Sequence, residues 1–377
     1  MNSVFLQFYK DVLPPFFKDN YVLLQNGFSY VWDEAHPIWL NEDTEKLPIE
    51  AEKVYVSVVS TAEISKVWKW AKEHPQIQFI VGGPAIWPGP PFIKLLEPIP
   101  HNLTLVEGFA ESIFNRPVDL KTWKLSFPIV APGTIVCYTY HMGDGCDWSK
   151  CIFCCEKTRK IRELRGYDIE PLWDAPPGVV FLVNDSLKVE DLYVLEKFNY
   201  SNKKYRLYIR ATDRVYEALK IILPRLNKPE NLAFQMGVEF PSDRMYKWMN
   251  KGTTIREVSK VLRLLSEYGC YFRLSYISDW PNLTDSDITS AKDFFDSLEN
   301  CDSIIGNHYI RPLLVFNNEL KKYADKEVRV GPFVIGYTAT LTEKEKLLNN
   351  EWKNLVMSRQ NVYDGEIPPH RLKGEKQ

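Results

Sequence analysis

The sequence of 377 residues contains no apolar run close to the roughly 18 residues that a bilayer crossing needs. The stretch Met1–Phe17 carries Lys10 and Asp11 and has no long apolar centre, so it does not read as a signal peptide. Neither sign of charge dominates: 47 Lys and Arg stand against 49 Asp and Glu, a formal net charge of -2. That balance argues against a protein built mainly to coat nucleic acid. There is no low-complexity tract and no internal repeat. What is present is an ordinary globular mixture, 45% apolar and 25% charged, which excludes wholesale disorder. At roughly 150 residues per domain the length suggests two or three domains. A cytoplasmic protein without a membrane partner is the expectation.

The chain divides by its punctuation. Residues 1–50 look irregular and aromatic-rich, with Pro14, Pro15 and Pro37 as breakers. From residue 53 strands and helices alternate. Val54–Ser60 reads as a strand, and Thr61–His74 as a helix with Ile64, Val67, Trp68 and Ala71 at helical spacing. Ile77–Val81 and Leu103–Gly108 read as further strands, with a short helix near Phe92–Leu96. Strands separated by helices imply a parallel α/β layer, here ending near residue 122. A second series follows, with strands expected at Thr134–Tyr138, Val179–Asn184, Tyr205–Arg210, Leu232–Val238, Tyr271–Ile277 and Ser303–Ile310. Amphipathic stretches at 188–197, 213–225, 242–268 and 284–298 separate them. Six such repeats are too few for an eight-fold barrel and suit an open, partial one. Residues 311–377 form a C-terminal extension with one expected helix, Glu343–Met357.

Five of the seven cysteines fall in one short stretch: Cys137, Cys146, Cys151, Cys154 and Cys155. That clustering points to metal or redox chemistry rather than to disulfides. Cys146, Cys151 and Cys154 are spaced Cys-x4-Cys-x2-Cys directly after the first strand of the second series. Three thiolates on one tight loop can hold three corners of an iron–sulfur cubane and leave one iron open. The same residues could serve zinc, with Cys137, His141 or Cys155 as fourth ligand. No second Cys-x-x-Cys pair exists to favour zinc. Cys270 and Cys301 stand alone beside strands and read as small core residues.

Gly145-Cys-Asp-Trp-Ser-Lys-Cys-Ile-Phe-Cys154 resembles the cluster loop of radical S-adenosylmethionine (SAM) enzymes, in particular the branch with an N-terminal cobalamin-binding domain. Phe234–Thr254, with Gly237-Val-Glu239 and later Met249-Asn-Lys-Gly-Thr253, is similar to that branch's strand–helix segment, and Tyr271–Thr284 to a later strand and turn. Gly82-Gly83-Pro84 and Glu107-Gly108 resemble strand ends of a cobalamin-type domain. The likeness covers roughly residues 53–310.

The resemblance implies a Rossmann-like, degenerate cobalamin-type domain over 1–122, a partial (β/α)6 radical SAM barrel over 123–310, and an extension over 311–377. It implies a 4Fe-4S cluster on Cys146, Cys151 and Cys154, with SAM bound at the open iron. One electron then cleaves the sulfonium to give a 5′-deoxyadenosyl radical. Phe153 is the implied neighbour of adenine. Glu239 and Gly237, Arg210 and Asn184 are implied at the SAM-facing strand ends. Arg210 offers a guanidinium fork for the SAM carboxylate. In the first domain Ser60, Thr61, Gly82, Gly83 and Gly108 are the implied cofactor-facing positions.

The sequence departs from the family pattern in two places. No Asp-x-His-x-x-Gly supplies a cobalt ligand, Asp33-Glu-Ala-His36 having the wrong spacing, and cobalamin is left open as the third cofactor. Phe240 and Pro241 follow Glu239 where many relatives carry polar residues. The expected activity is a cobalamin-dependent methyl transfer to an unactivated carbon or phosphorus. A radical oxidation, rearrangement or coupling without cobalamin is the alternative, and a zinc-bearing scaffold the second. The expected partners are a small-molecule or peptide substrate and a flavodoxin- or ferredoxin-type electron donor. The basic stretch Lys157–Arg165 reads as a solvated helix face or a docking patch for such an acidic donor, in preference to a nucleic-acid site.

Overall fold

The computed structural model describes residues 3–8, 21–24, 36–40, 46–47, 50–58, 61–83, 86, 94–106, 135–141, 143–144, 146–154, 162–163, 178–183, 186–201, 203–299, 306–315 and 319–360. In chain order the elements are β1 (Ser3–Phe8), β2 (Tyr21–Leu24), β3 (His36–Leu40), β4 (Lys53–Ser57), α1 (Thr61–Glu73), β5 (Gln78–Gly82), β6 (Lys94–Leu95) and β7 (Leu103–Leu105). Next come β8 (Ile135–His141), β9 (Gly143–Asp144), β10 (Arg162–Glu163), β11 (Gly178–Val183), β12 (Lys203–Tyr208), α2 (Asp213–Ile222) and β13 (Leu232–Glu239). The remainder is α3 (Asp243–Met249), α4 (Ile255–Glu267), β14 (Tyr271–Ser278), α5 (Asp285–Glu299), β15 (Gly306–Pro312), β16 (Ala324–Val330), β17 (Phe333–Ala339) and α6 (Glu343–Gln360). A 3-10 helix spans Val189–Lys197. No helix among the described residues is long and apolar enough to cross a membrane.

Two parallel sheets carry the fold. The first runs β3-β1-β4-β5-β7, every pair parallel. Counting only its own strands, that order is 2-1-3-4-5. It is a doubly wound arrangement, whose ligand crevice lies at the carboxyl ends where the order reverses. The reversal of order here falls between β1 and β4. Ile64, Val67, Trp68 and Ala71 of α1 form one buried stripe against Val54, Val56, Phe79 and Val81. Burying such side chains stabilises by about 1.5–3 kcal/mol each. The Asn102 side chain holds the end of α1, its Nδ2 donating to the carbonyls of Ala71 (3.0 Å), His74 (3.0 Å) and Ile77 (2.8 Å).

The second sheet runs β15-β14-β13-β12-β11-β8-β2, also parallel throughout. Its strands β8 and β11–β15 are the six expected from the sequence, in sequence order. Burial alternates along β13 and β14. Leu232, Phe234, Met236 and Val238, with Phe272, Leu274 and Tyr276, pack into one core with Val258, Val261, Leu262 and Leu265 of α4. Gln235, Gly237, Glu239, Arg273 and Ser275 therefore lie on the opposite face. Caps set the helix starts. Thr212 Oγ1 accepts from Val215 N (3.2 Å), and Thr254 with Glu257 forms a reciprocal capping box at α4.

The last 60 or so residues differ from the expected single-helix extension. β16 and β17 form an antiparallel hairpin, and β17 also pairs with β6. Phe333 is fully buried in the first core, edge-on to Trp68 at 5.1 Å. Ala339 of the same strand belongs to the second core, and Val315 bridges to Tyr337. The hairpin thus joins the two hydrophobic cores. α6 closes the second sheet: Trp352 Nε1 donates to Ile277 O (2.9 Å), and Asn349 bonds both backbone groups of Trp280 at 2.9 Å.

Other sequence expectations are corrected. Residues 1–50 are not wholly irregular, since β1 is a central strand and β2 adds an edge to the second sheet. Pro37 sits in β3, an edge strand, where a missing N–H is tolerated. Lys94–Leu95 is strand, not helix, because it pairs with β17. Arg162–Glu163 pairs antiparallel with β9 rather than lying in a basic helix. The 242–268 stretch is two helices, broken where Asn250 turns left-handed at φ 53°.

Asp287, 1% exposed, ties the starts of α3 and α5 together. Its carboxylate accepts from Ser242 Oγ (2.6 Å), Arg244 Nε (3.0 Å), Thr284 N (2.9 Å) and Thr284 Oγ1 (2.7 Å). Burial pushes its pKa up, but the bonds from Arg244, Ser242 and Thr284 prevail and hold it below the usual carboxylate range. A carboxylate depressed in the folded state adds stability above its unfolded value, about 3.9, and loses it as pH falls through the folded value. Asp287→Asn is expected to cost about 2–3 kcal/mol at pH 7, with the gap to wild type narrowing below about pH 4, as read by urea unfolding across pH. Phe333→Ala is expected to cost about 3–5 kcal/mol, as read by urea unfolding.

Candidate functional site

The loop Cys146–Cys154 has few hydrogen bonds of its own. Ser149, at φ 47°, donates Oγ to Cys146 O, and Cys154 N donates to Cys151 O at 3.3 Å. Further support comes from the turn that ends α3. Ile152 N donates to Met249 O (3.0 Å), Trp148 Nε1 to Asn250 O (2.6 Å), and Asn250 Nδ2 to Lys150 O (3.1 Å). The turn can present these groups because Asn250 (φ 53°) and Gly252 (φ 68°) both adopt left-handed backbone. At Gly252 only glycine fits: a Cβ there would lie 2.3 Å from a ring carbon of Trp148.

Trp148 is held on its other sides by cations. Lys150 Nζ lies 4.8 Å and the Arg210 guanidinium 5.2 Å from its ring centroid. Arg210 follows β12 and closes the clamp, donating Nη1 to Gly252 O (3.0 Å) and Nη2 to Asp147 Oδ2 (2.9 Å). Its Nε is buried without a hydrogen-bond partner. The fork expected to face a SAM carboxylate is thus engaged at one end with the cysteine loop and at the other with the turn after α3.

Cys146, Cys151 and Cys154 are each half-buried and form no disulfide among the described residues. Burial pushes the Cys151 thiol up, the ammonium of Lys251 pulls it down, and Glu239 and Cys146 push it up again. Lys251 and Glu239 form a buried ion pair, Nζ to Oε1 at 3.0 Å. Glu239 reaches it through a bulge at the end of β13 and a left-handed backbone, φ 64°. Such a conformation on a non-glycine residue costs of order 1–3 kcal/mol and persists only where the surroundings impose it. Gly237 makes the room, since a Cβ there would lie 2.3 Å from Glu239 Oε1 and 3.2 Å from Lys251 Nζ. Lys251 Nζ also sits 5.5 Å from the Phe153 ring, which packs edge-on to Trp280 at 5.5 Å.

The structure therefore brings together Cys146, Cys151, Cys154, Phe153, Arg210, Gly237 and Glu239. Gly82 and Gly83 lie apart, at the end of β5. A Cβ at Gly82 would meet nothing within 4 Å, whereas at Gly83 (φ 113°) it would lie 2.5 Å from Val58 O. Val58 N donates to Gly82 O (2.9 Å), stitching the ends of β4 and β5. Thr61 begins α1, its side chain outside the described set. Asn184, Ser60 and Gly108 lie outside the described residues. Trp148, Asn250, Lys251 and Gly252 lie within the two stretches that carry the family resemblance, but the sequence alone assigned them no role. The Asn-x-Gly after a helical stretch was the available signal, being a common left-handed helix stop.

The donor chemistry suits an iron–sulfur cluster. Cys151 lies within the influence of the Lys251 ammonium and the Arg210 guanidinium, cations that suit an anionic cluster on this loop. Among the described residues no three His, Cys, Asp or Glu side chains converge on a single ion. A cubane needs no such convergence, since each thiolate takes a different iron.

No family profile and no curated protein sequence matches the chain. Solved structures do. The radical SAM methyltransferase TsrM from Kitasatospora setae, with cobalamin and a [4Fe-4S] cluster bound, aligns over 93% of this chain and 85% of its own, with 11% identity and a TM-score of 0.50. The same enzyme with tryptophan substrate and a SAM analogue aligns over 84% and 74%, with a TM-score of 0.54. The cobalamin-dependent SAM radical enzyme OxsB aligns at 15% identity with a TM-score of 0.47, and this chain spans about half of its length, 53%. At these identities the likeness to TsrM is one of fold: a mixed α/β protein with parallel sheets.

Gly252→Ala is expected to force Trp148 off the turn and to bind clearly less iron than wild type after anaerobic reconstitution. Its stability should fall by about 1–3 kcal/mol. Trp148→Phe, which keeps the ring but loses the bond to Asn250 O, should fall between the two in iron content.

Proposed function

We propose that this protein is a radical SAM enzyme. Cys146, Cys151 and Cys154 would hold a 4Fe-4S cluster, SAM would bind at the second sheet's carboxyl ends, and the first sheet would be of cobalamin type. Cluster and SAM, when bound, supply reductive cleavage of the sulfonium to a 5′-deoxyadenosyl radical; cobalamin supplies a methyl carrier. The observation that carries the reading is the cysteine loop docked by Trp148, Asn250 and Arg210 beside the buried Glu239–Lys251 pair.

The chain's own groups do the positioning. The turn at 249–252 sets the loop, and Lys251 places a positive charge against the thiolates. Phe153 and Trp280 wall the site with aromatic surface and exclude water. Glu239, held by Lys251, keeps further acceptor capacity for a ribose hydroxyl or an ammonium. The first sheet's 2-1-3-4-5 order supports a cofactor crevice between β1 and β4, and the open space beside Gly82 is compatible with a bulky cofactor. Methyl transfer to an unactivated carbon or phosphorus is the reading we favour. It calls for a small-molecule or peptide substrate and a flavodoxin- or ferredoxin-type electron donor in a cytoplasmic setting.

Reconstituted anaerobically and given SAM with a strong reductant, the protein should form 5′-deoxyadenosine, detectable by mass spectrometry. Any one of the three cysteines changed to alanine should reduce that signal at least about a hundredfold, the loss of a metal-bound cofactor's chemistry. Zinc without iron or sulfide would sink the proposal. Cobalamin retained in stoichiometric amount supports methyl transfer; protein that cleaves SAM but holds none instead performs an oxidation, rearrangement or coupling.

A further inference from the structure

The strands of the second sheet are lopsided in charge. β2, β8 and β11–β15 together carry Lys203, Lys204, Arg206, Arg273 and Arg311, and a single carboxylate, Glu239. That carboxylate is committed to Lys251. Within these strands, among the described residues, cations outnumber carboxylates.

Three of the cations share the face that bears Gly237 and Glu239. Phe272, Leu274 and Tyr276 pack in the helix-side core, which puts Arg273 and Ser275 on the other side. In register, Arg273 stands opposite Gln235, and Ser275 opposite Tyr309. Arg206, 6% exposed, donates to Gln235 Oε1. Arg273 stacks on the Tyr309 ring at 5.0 Å, has no acidic partner among the described residues, and has its Nε buried without a hydrogen bond. Tyr309 and Arg311 are on β15, the edge strand, so the face opens sideways to solvent, and the Tyr309 ring is 40% exposed.

A buried guanidinium nitrogen with no partner is costly unless a ligand completes it. The charge of the cysteine loop does not explain these groups, because Lys251 and Arg210 already stand against it. Gln235 lies two to four residues before Gly237 and Glu239, which at about 3.3 Å per residue is about 7–13 Å from the ion pair beside Cys151.

We propose that this face binds the substrate through an oxyanion, a carboxylate or a phosphoryl group. Arg273 grips it, Arg206 and Arg311 flank it, and Tyr309 covers an adjoining flat or apolar part. The assignment rests on the radical SAM reading for its role in turnover, though not for the binding itself. It names an anionic substrate that enters at the β15 edge and lies below the thiols on the same face.

The test is titration calorimetry on the full chain, with and without its reconstituted cluster. The probes are phenyl phosphate, benzoate, inorganic phosphate and neutral benzyl alcohol. At least one of the two aromatic anions should bind at least about tenfold more tightly than benzyl alcohol, and Arg273→Gln should weaken it by about tenfold or more, the scale of one charge-assisted hydrogen bond. Preference between phenyl phosphate and benzoate tells phosphoryl from carboxylate; phosphate binding without the ring isolates the guanidinium share. Arg311→Gln, at the exposed edge, gives a second reading if Arg273→Gln does not fold, and should weaken binding severalfold. Binding of neither aromatic anion, equal binding of benzyl alcohol, or unchanged affinity in the folded variants overturns the proposal. Failure of the cluster reading shows separately, in the iron and sulfide count.

Discussion

The loop that holds three thiols is fixed in large part from outside, by a left-handed turn on another element and by Arg210 after β12. Backbone carbonyls of Met249, Asn250 and Gly252 all point toward the cysteine side. They can do so only because the chain there leaves right-handed helix space at Asn250 and Gly252. The turn is in turn anchored by Lys251 to Glu239, and Glu239 by the bulge at the end of β13. Position is passed from sheet to turn to loop through contacts that each tolerate little change.

The buried Glu239–Lys251 pair is the costly link. Two charges taken out of water repay their desolvation only with good geometry and further partners. Here both neighbours are chosen for it: Gly237 leaves the space, and Phe153 offers its ring face to the ammonium. A pair of well-packed apolar residues would serve stability as well. What they would not do is put a positive charge beside Cys151, where it opposes the effect of burial on the thiol. The arrangement makes sense as a site and poor sense as mere scaffolding.

Much of the second sheet was legible because strands of a parallel sheet read as short apolar runs between helical stretches. The cysteine spacing was legible for the same reason that motifs are: the chemistry needs those residues on one loop. The partners of that loop were not legible, because Asn250 and Gly252 lie about a hundred residues away in the chain. A left-handed turn also announces itself only as a helix stop. Residues 1–50 misled through their prolines and aromatics, though β1 needs no more than Val4 and Leu6 on a buried face to take the centre of a sheet. The β16–β17 hairpin was missed because its first strand is polar and exposed, and its pairing with Lys94–Leu95 joins segments far apart in sequence.

That hairpin changes how the molecule divides. Composition and punctuation suggest two α/β units followed by an appendage, but Phe333 completes the first core and Ala339 the second. The strand β17 is thus packed at one end against α1 and at the other against the elements that follow β15. α6 then returns to β14, bonding Ile277 and Trp280, and Trp280 is the ring on which Phe153 rests. A displacement of the first sheet would be felt through β17 and the segment leading to α6, and from there through Trp280 at the aromatic wall of the cysteine site. The C-terminal strand β17 thus links the two cores, as the N-terminal segment does by giving β1 and β3 to one sheet and β2 to the other.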